Sequence, residues 1–123
     1  MIIKESAENY LEAILMISKK KGFARSIDVA NELGFAKPSV SVAMKNFRED
    51  GYILTDSDGK ITLTDKGLAV AERIYERHQI IARALIALGV DEQTAYEDSC
   101  KIEHDISQTS FLKLKEFLER HEK

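Results

Sequence analysis

Between Ser26 and Leu63 the chain is punctuated so tightly that few folds remain open to it. Ser26 is placed to cap a short helix from Ile27 to Leu33, and Gly34 closes it. After a tight turn, Pro38 stands in a first helical turn, where its missing N–H costs nothing, and opens a third helix to about Asp50. Val40, Ala43, Met44 and Phe47 form the inward stripe of that helix, and Gly51 ends it. Two β-prone runs, 52–55 and 60–63, then flank Asp56-Ser57-Asp58-Gly59, a strong hairpin turn. Two short helices joined by a Gly-containing turn and followed by a hairpin give the order of a winged helix-turn-helix, whose second helix is the reader.

The flanks agree. A first helix is expected from about Ser6 to Lys20, with Tyr10, Leu11, Ile14, Leu15 and Ile17 on its apolar face and Gly22 as its stop. Thr64 is placed to cap a long helix to about Leu88, ended by Gly89, with Ala71, Ile74, His78, Ile81, Leu85 and Leu88 as its inner stripe. A fifth helix at about 91–105 and a sixth at about 108–121, capped by Ser107, complete a mostly α chain. The expected organisation is a winged helix-turn-helix domain over residues 1–66 and an all-helical domain over 67–123. Helices left over by the first domain want a partner surface, and homodimerisation is the economical way to supply one.

No apolar run reaches the roughly 18 residues a membrane span needs, and residues 1–5 carry no secretory pattern. One cysteine, Cys100, excludes an internal disulfide and fits a reducing cytoplasm. Net charge is −3, which argues against nucleic acid until its distribution is read. From Lys19 to Arg48 seven basic side chains face two acidic ones, whereas from Gly67 onward eight basic face eleven acidic. A solvated lysine patch is the plain reading of the first segment; a phosphate-facing end is the functional one. On that reading Arg25, Lys37, Pro38, Ser39, Ser41, Val42 and Lys45, with Lys60 on the wing, meet double-stranded DNA. Lys37 and Lys45 suit phosphates, and Pro38, Ser39 and Ser41 suit thymine methyls or base edges.

Three features sit oddly with a purely structural role. His78 lies in an otherwise apolar stripe, where a lone histidine reads first as a hydrogen-bonded core residue. Cys100, Glu103 and His104 stand at i, i+3 and i+4, so thiol, carboxylate and imidazole share one helix face. Glu5, Glu8, Asn9 and Glu12 crowd the first helix. There acids complement the dipole, or Asn9 and Glu12 supply oxygen ligands. A divalent cation would give these N, O and S donors one purpose and remove the cost of burying them unpaired.

Nearly the whole chain resembles the diphtheria-toxin-repressor and manganese-transport-regulator family of metal-dependent repressors. The resemblance lies in 8-ENYLEAI-14, 38-PSVS-41, 63-LTDKG-67, Arg77-His78 and 100-CKIEHDIS-107, and in the spacing between them. It implies a homodimer that binds a palindromic operator when loaded with Fe²⁺ or Mn²⁺ and represses metal-uptake genes. It also implies a primary site of Cys100, Glu103 and His104 with Asn9 and Glu12 from the first helix, and a metal-ligating His78. The chain is a hybrid. Manganese-preferring members usually have aspartate at Asn9 and a carboxylate at Cys100, whereas iron-preferring members pair methionine with cysteine. The iron-type ancillary site also wants a carboxylate at Ala82 and a histidine at Tyr96, which puts a complete second site in doubt. The family's frequent C-terminal SH3-like domain is not expected, since the sequence stops at Lys123.

A thiolate ligand favours Fe²⁺ over Mn²⁺, with Zn²⁺, Co²⁺ or Ni²⁺ able to bind in vitro. The expected mechanism ties the first helix to the fourth and fifth through the ion, setting the two readers about 34 Å apart. Three other readings stand beside it: a winged-helix regulator that answers a non-metal ligand or acts constitutively, a protein-interaction winged helix, and a metallohydrolase or thiol enzyme using Cys100 and His104. The enzyme reading lacks any Gly-rich loop or orienting motif.

Overall fold

The computed structural model describes residues 5–121, and at Glu5 the backbone alone. Residues 1–4, where the sequence carries no leader pattern, and the side chain of Glu5 lie outside the described residues. Six helices and one hairpin follow in the order α1 (Glu5–Lys21), α2 (Ser26–Leu33), α3 (Lys37–Glu49), β1 (Ile53–Thr55), β2 (Ile61–Leu63), α4 (Asp65–Ala87), α5 (Glu92–Ile102) and α6 (Gln108–His121). The chain divides into two compact units, one ending at Glu72 and one starting at Arg73. No helix among the described residues is long and apolar enough to cross a membrane.

In the first unit, Leu11 and Ile14 of α1, Val29 of α2, Val40 and Met44 of α3 and Ile53 of β1 are fully buried. A chain of edge-to-face rings runs through this core: Tyr10 meets Phe35 at 5.5 Å and Phe47 at 5.8 Å, and Phe47 meets Tyr52 at 6.2 Å. It links α1, the α2–α3 turn, α3 and the root of the hairpin, and Phe47 ties α3 to α1 on one side and to the hairpin on the other. Gly34 makes the α2–α3 turn with φ +69° and returns its N–H to Ala30 O at 2.9 Å, a left-handed cap that a side chain would strain. β1 and β2 pair antiparallel with Leu54 opposite Thr62, and Ile61 N–H donates to Ala24 O at 2.7 Å, adding a third edge to the small sheet. At the hairpin tip the Asp56 carboxylate accepts from the N–H groups of Asp58 and Lys60, at 2.8 and 2.9 Å, before Gly59 turns back at φ +79°.

Two sequence expectations are corrected here. Ser26 is the first residue of α2 rather than its cap. Arg25 takes the cap position, and Asp28 Oδ2 accepts the Arg25 N–H at 3.0 Å. The acid three residues in therefore secures the helix start that the serine hydroxyl was expected to secure. Leu88 is 76% exposed because α4 ends at Ala87, one residue before the apolar spacing does. Thr64 and Ser107 behave as expected, with their hydroxyls accepting from Gly67 N and Ser110 N at 3.2 and 3.1 Å.

In the second unit Ile80 of α4 packs with Phe111 and Leu118 of α6 and with Ile106 from the turn between α5 and α6. Asp91 caps α5 by accepting from Thr94 N at 3.0 Å.

Candidate metal centre and nucleic-acid interface

α5 ends at Ile102, three residues short of the extent the sequence suggested, with Glu103 as its C-cap. Glu103 keeps near-helical torsions and donates its N–H to Ser99 O at 3.0 Å. The i, i+3, i+4 face expected for Cys100, Glu103 and His104 therefore survives the end of the helix. His78 meets that face from α4. Its Nδ1 lies 3.0 Å from Glu103 Oε2, 3.3 Å from Ser99 Oγ and 3.4 Å from Cys100 Sγ. His104 Nε2 lies 3.4 Å from Glu103 Oε1, too loosely aligned for that oxygen to accept a hydrogen bond. The structure thus brings His78, Cys100, Glu103 and His104 together.

The electrostatics of this cluster call for a cation. Glu103 is completely buried, and one of its oxygens accepts no hydrogen bond. A carboxylate in that position is costly unless positive charge stands beside it. In the metal-free chain a proton supplies that charge. Burial is the largest single influence on His78 and opposes ionisation, but hydrogen bonds to Cys100 and Glu103, with their negative charge, outweigh it and raise its pKa to about 10. Two imidazoles, a carboxylate and a thiol form a donor set that fits a divalent transition metal.

On α1, Glu8 and Glu12 are buried and Asn9 half-buried, whereas acids that merely complement a helix N-terminus stay in water. Ala82 is fully buried, and the Tyr96 ring stands 5.5 Å from that of His78 while its hydroxyl donates to Gln79 at 3.3 Å. The two positions an iron-type ancillary site needs are thus a methyl and a phenol.

Two residues of the cluster escaped sequence reasoning. Ser99 is fully buried and donates to Tyr96 O at 2.9 Å while touching His78. Arg77 is buried next to His78 and fastens the turn that carries Glu103. In the sequence it stood only as half of the Arg77-His78 pair that carries the resemblance, a long cation beside an inward histidine with no role of its own.

On the first unit, α3 divides cleanly. Val40, Met44 and Phe47 are buried, while Lys37, Pro38, Ser39, Ser41, Val42 and Lys45 are exposed, Val42 to 61%. An apolar side chain left in water among serines and lysines suits a thymine methyl. Beside the wing, Arg25 donates through Nε to Asp58 O at 3.1 Å and lies over the Phe23 ring at 4.8 Å, and Lys60 Nζ lies over the same ring at 5.1 Å. Arg25 therefore braces the hairpin as well as presenting charge.

Two family models match the chain: the N-terminal DNA binding domain of the iron dependent repressors over residues 3–60, and their metal binding and dimerisation domain over residues 64–123. The HTH-type transcriptional regulator MntR of Lysinibacillus sphaericus is 34% identical over 105 residues, which is 85% of this chain and 76% of that protein. Among solved structures, the metal-dependent transcriptional regulator MtsR is 28% identical with a TM-score of 0.83, over 97% of this chain and 55% of that one. A hypothetical protein from Sulfolobus solfataricus is 25% identical with a TM-score of 0.68, over 94% of this chain and 88% of that one.

Proposed function

The chain belongs to the iron-dependent repressor family, of the diphtheria-toxin-repressor and manganese-transport-regulator type, and on that premise we propose that it is a metal-dependent transcriptional repressor whose DNA affinity is set by one divalent ion. The family is made up of repressors, not enzymes, which removes the hydrolase reading of Cys100 and His104. The observation that carries the proposal is the fully buried Glu103 with His78, Cys100 and His104 around it.

In this reading the ion is held by His78, Cys100, Glu103 and His104, with Asn9 and Glu12 of α1 completing its shell. The residues of α1 belong to the DNA reader and the others to the helical unit. Sharing the ion therefore limits the arrangements the two can sample and favours the one that fits DNA. The thiol favours Fe²⁺ over Mn²⁺. The protein acts in the cytoplasm as a homodimer on a palindromic operator. Ile86, Leu88, Ile102, Leu112 and Phe117 are exposed apolar side chains of the helical unit and supply material for the dimer face. On DNA, Lys37, Lys45 and Lys60 neutralise phosphates, and Pro38, Ser39, Ser41 and Val42 meet base edges.

Fluorescence anisotropy on a palindromic operator, with and without Mn²⁺ or anaerobic Fe²⁺, tests the coupling. Metal is expected to tighten binding by about 5- to 150-fold, the range of a 1–3 kcal/mol coupling; equal affinities would end the proposal. Lys45→Ala is expected to weaken binding to all sequences alike and to lower the salt dependence by about two units of log–log slope, one for each protomer of the dimer. An unchanged slope would remove Lys45 from the interface.

The proton on His78 adds a pH dependence. The folded pKa of about 10 exceeds the ordinary histidine value of 6.5. Protonated His78 therefore stabilises the metal-free fold fully below pH 6.5, and that contribution fades as pH rises toward 10. Metal binding runs the opposite way, because an imidazole ligand must be neutral. Apparent Mn²⁺ or Co²⁺ affinity is expected to rise by about tenfold or more per pH unit over this window, with at least one proton released, that of His78. Calorimetry in buffers of different ionisation heats measures that proton, and a pH-independent affinity would contradict the assignment.

A further inference from the structure

Arg77 donates no ligand, yet it is buried and its guanidinium binds one short stretch of chain three times. Nη1 donates to the carbonyl of Glu103 at 3.1 Å and to that of Ile106 at 2.9 Å, Nη2 donates to Gln108 Oε1 at 2.7 Å, and the guanidinium carbon stands 5.3 Å from the centre of the Phe111 ring. The acceptors bracket residues 103–108, which run from the last ligands to the first residue of α6. The carbonyls of Glu103 and Ile106 lie past the last residue of α5, where no helical N–H follows to meet them, and Nη1 takes up both while Nη2 reaches Gln108. Around it α4 grips α6 twice more, through Lys115 to Glu76 at 3.0 Å and through Ile80 against Phe111 and Leu118. His78, the next residue along α4, holds the Glu103 carboxylate. One stretch of α4 thus holds both the start of α6 and the acid of the metal centre.

We infer that Arg77 is a positioning residue that couples helix α6 to the metal centre. It holds the turn where the Glu103 carboxylate meets His78 and the His104 ring meets that carboxylate, and it does so only while α6 is docked to receive its second amino group. This deepens the metal-dependent reading and rests on it. Two consequences follow from linkage: loosening α6 weakens metal binding, and bound metal protects α6 from opening. Residues that orient ligands commonly change metal affinity by about 10- to 100-fold when removed.

The test uses the full chain as wild type, Arg77→Met, Arg77→Lys and Gln108→Ala, with two measurements. Amide hydrogen exchange over residues 103–111 is followed in metal-free protein, and Co²⁺ is titrated while the thiolate charge-transfer and ligand-field bands are recorded. Arg77→Met is expected to lose amide protection over 103–108, to bind Co²⁺ about 10- to 100-fold more weakly and to shift the ligand-field bands. Arg77→Lys falls between, because one ammonium cannot serve three acceptors spread across a planar fork. Gln108→Ala, which touches no ligand, loosens the start of α6 and weakens Co²⁺ binding several-fold. A folded Arg77→Met protein with wild-type Co²⁺ affinity and bands overturns the coupling. If Arg77→Met does not fold, Gln108→Ala decides, and unchanged exchange and affinity there overturn it. Failure of the wild type to bind Co²⁺ would instead sink the metal reading. The exchange data would then still judge the strap, and unchanged protection in Arg77→Met would refute it.

Discussion

Glu103→Gln protein is expected to fold and to bind operator DNA no better with metal than without it. Glutamine keeps the volume of the buried side chain and an oxygen to accept from His78, so the packing survives. It removes the negative charge on a group that water does not reach. That charge raises the His78 pKa in the metal-free chain and would neutralise the ion in the loaded one. Losing an anionic ligand exceeds the loss of an orienting neighbour, so metal affinity is expected to fall by about 100-fold or more, roughly 2.8 kcal/mol. Titrating the variant with Mn²⁺ or Co²⁺, and measuring operator binding at a concentration that saturates the wild type, gives both numbers. A metal response like that of the wild type would show that Glu103 is a structural acid.

The second large effect lies in the first unit, at the start of α4. Gly67 sits in the first turn of α4, and a Cβ built there would stand 2.1 Å from the backbone oxygen of Tyr52 and 3.3 Å from Leu63 Cδ2. Tyr52 O cannot simply withdraw, because it also accepts the N–H of Thr64 at 3.1 Å and belongs to the root of the wing. In an open helix Gly→Ala gains about 1 kcal/mol. Here the overlap is with backbone, and overpacking of this kind costs about 1–3 kcal/mol or more. Gly67→Ala is therefore expected to lower the Tm by several degrees and to weaken DNA binding with or without metal, since the wing shifts with Tyr52. Circular dichroism melts and anisotropy check both, and a melt at or above the wild-type temperature would contradict the close approach.

These two residues mark what the sequence could and could not disclose. The hairpin was legible because Asp56 and Gly59 make its turn locally. The buried stripe of α3 and the caps at Thr64 and Ser107 were legible for the same reason. The Cys100, Glu103, His104 face was legible because i, i+3, i+4 spacing is a property of one helix. Errors arose where two local signals compete. Ser26 looks like a cap, but Asp28 stabilises a start one residue earlier. The apolar spacing reaches Leu88, but the helix ends before it. What stayed hidden is long-range. That His78 Nδ1 faces Ser99, Cys100 and Glu103 at once, and that Arg77 reaches Glu103, Ile106 and Gln108, depends on how α4 packs against α5 and α6. The need for glycine at 67 depends on a carbonyl fifteen residues earlier.

The central claim is that side chains from the DNA reader and from the helical unit share a single ion. The most direct measurement is a crystal structure of the full chain loaded anaerobically with Fe²⁺ or with Co²⁺, with anomalous differences collected at that metal's edge. The account predicts one peak per subunit within bonding distance of Cys100 Sγ (about 2.3 Å), a Glu103 oxygen and the His78 and His104 rings, with Glu12 and Asn9 completing the shell. A peak bound elsewhere, or no peak among these side chains in protein that responds to metal, would contradict it.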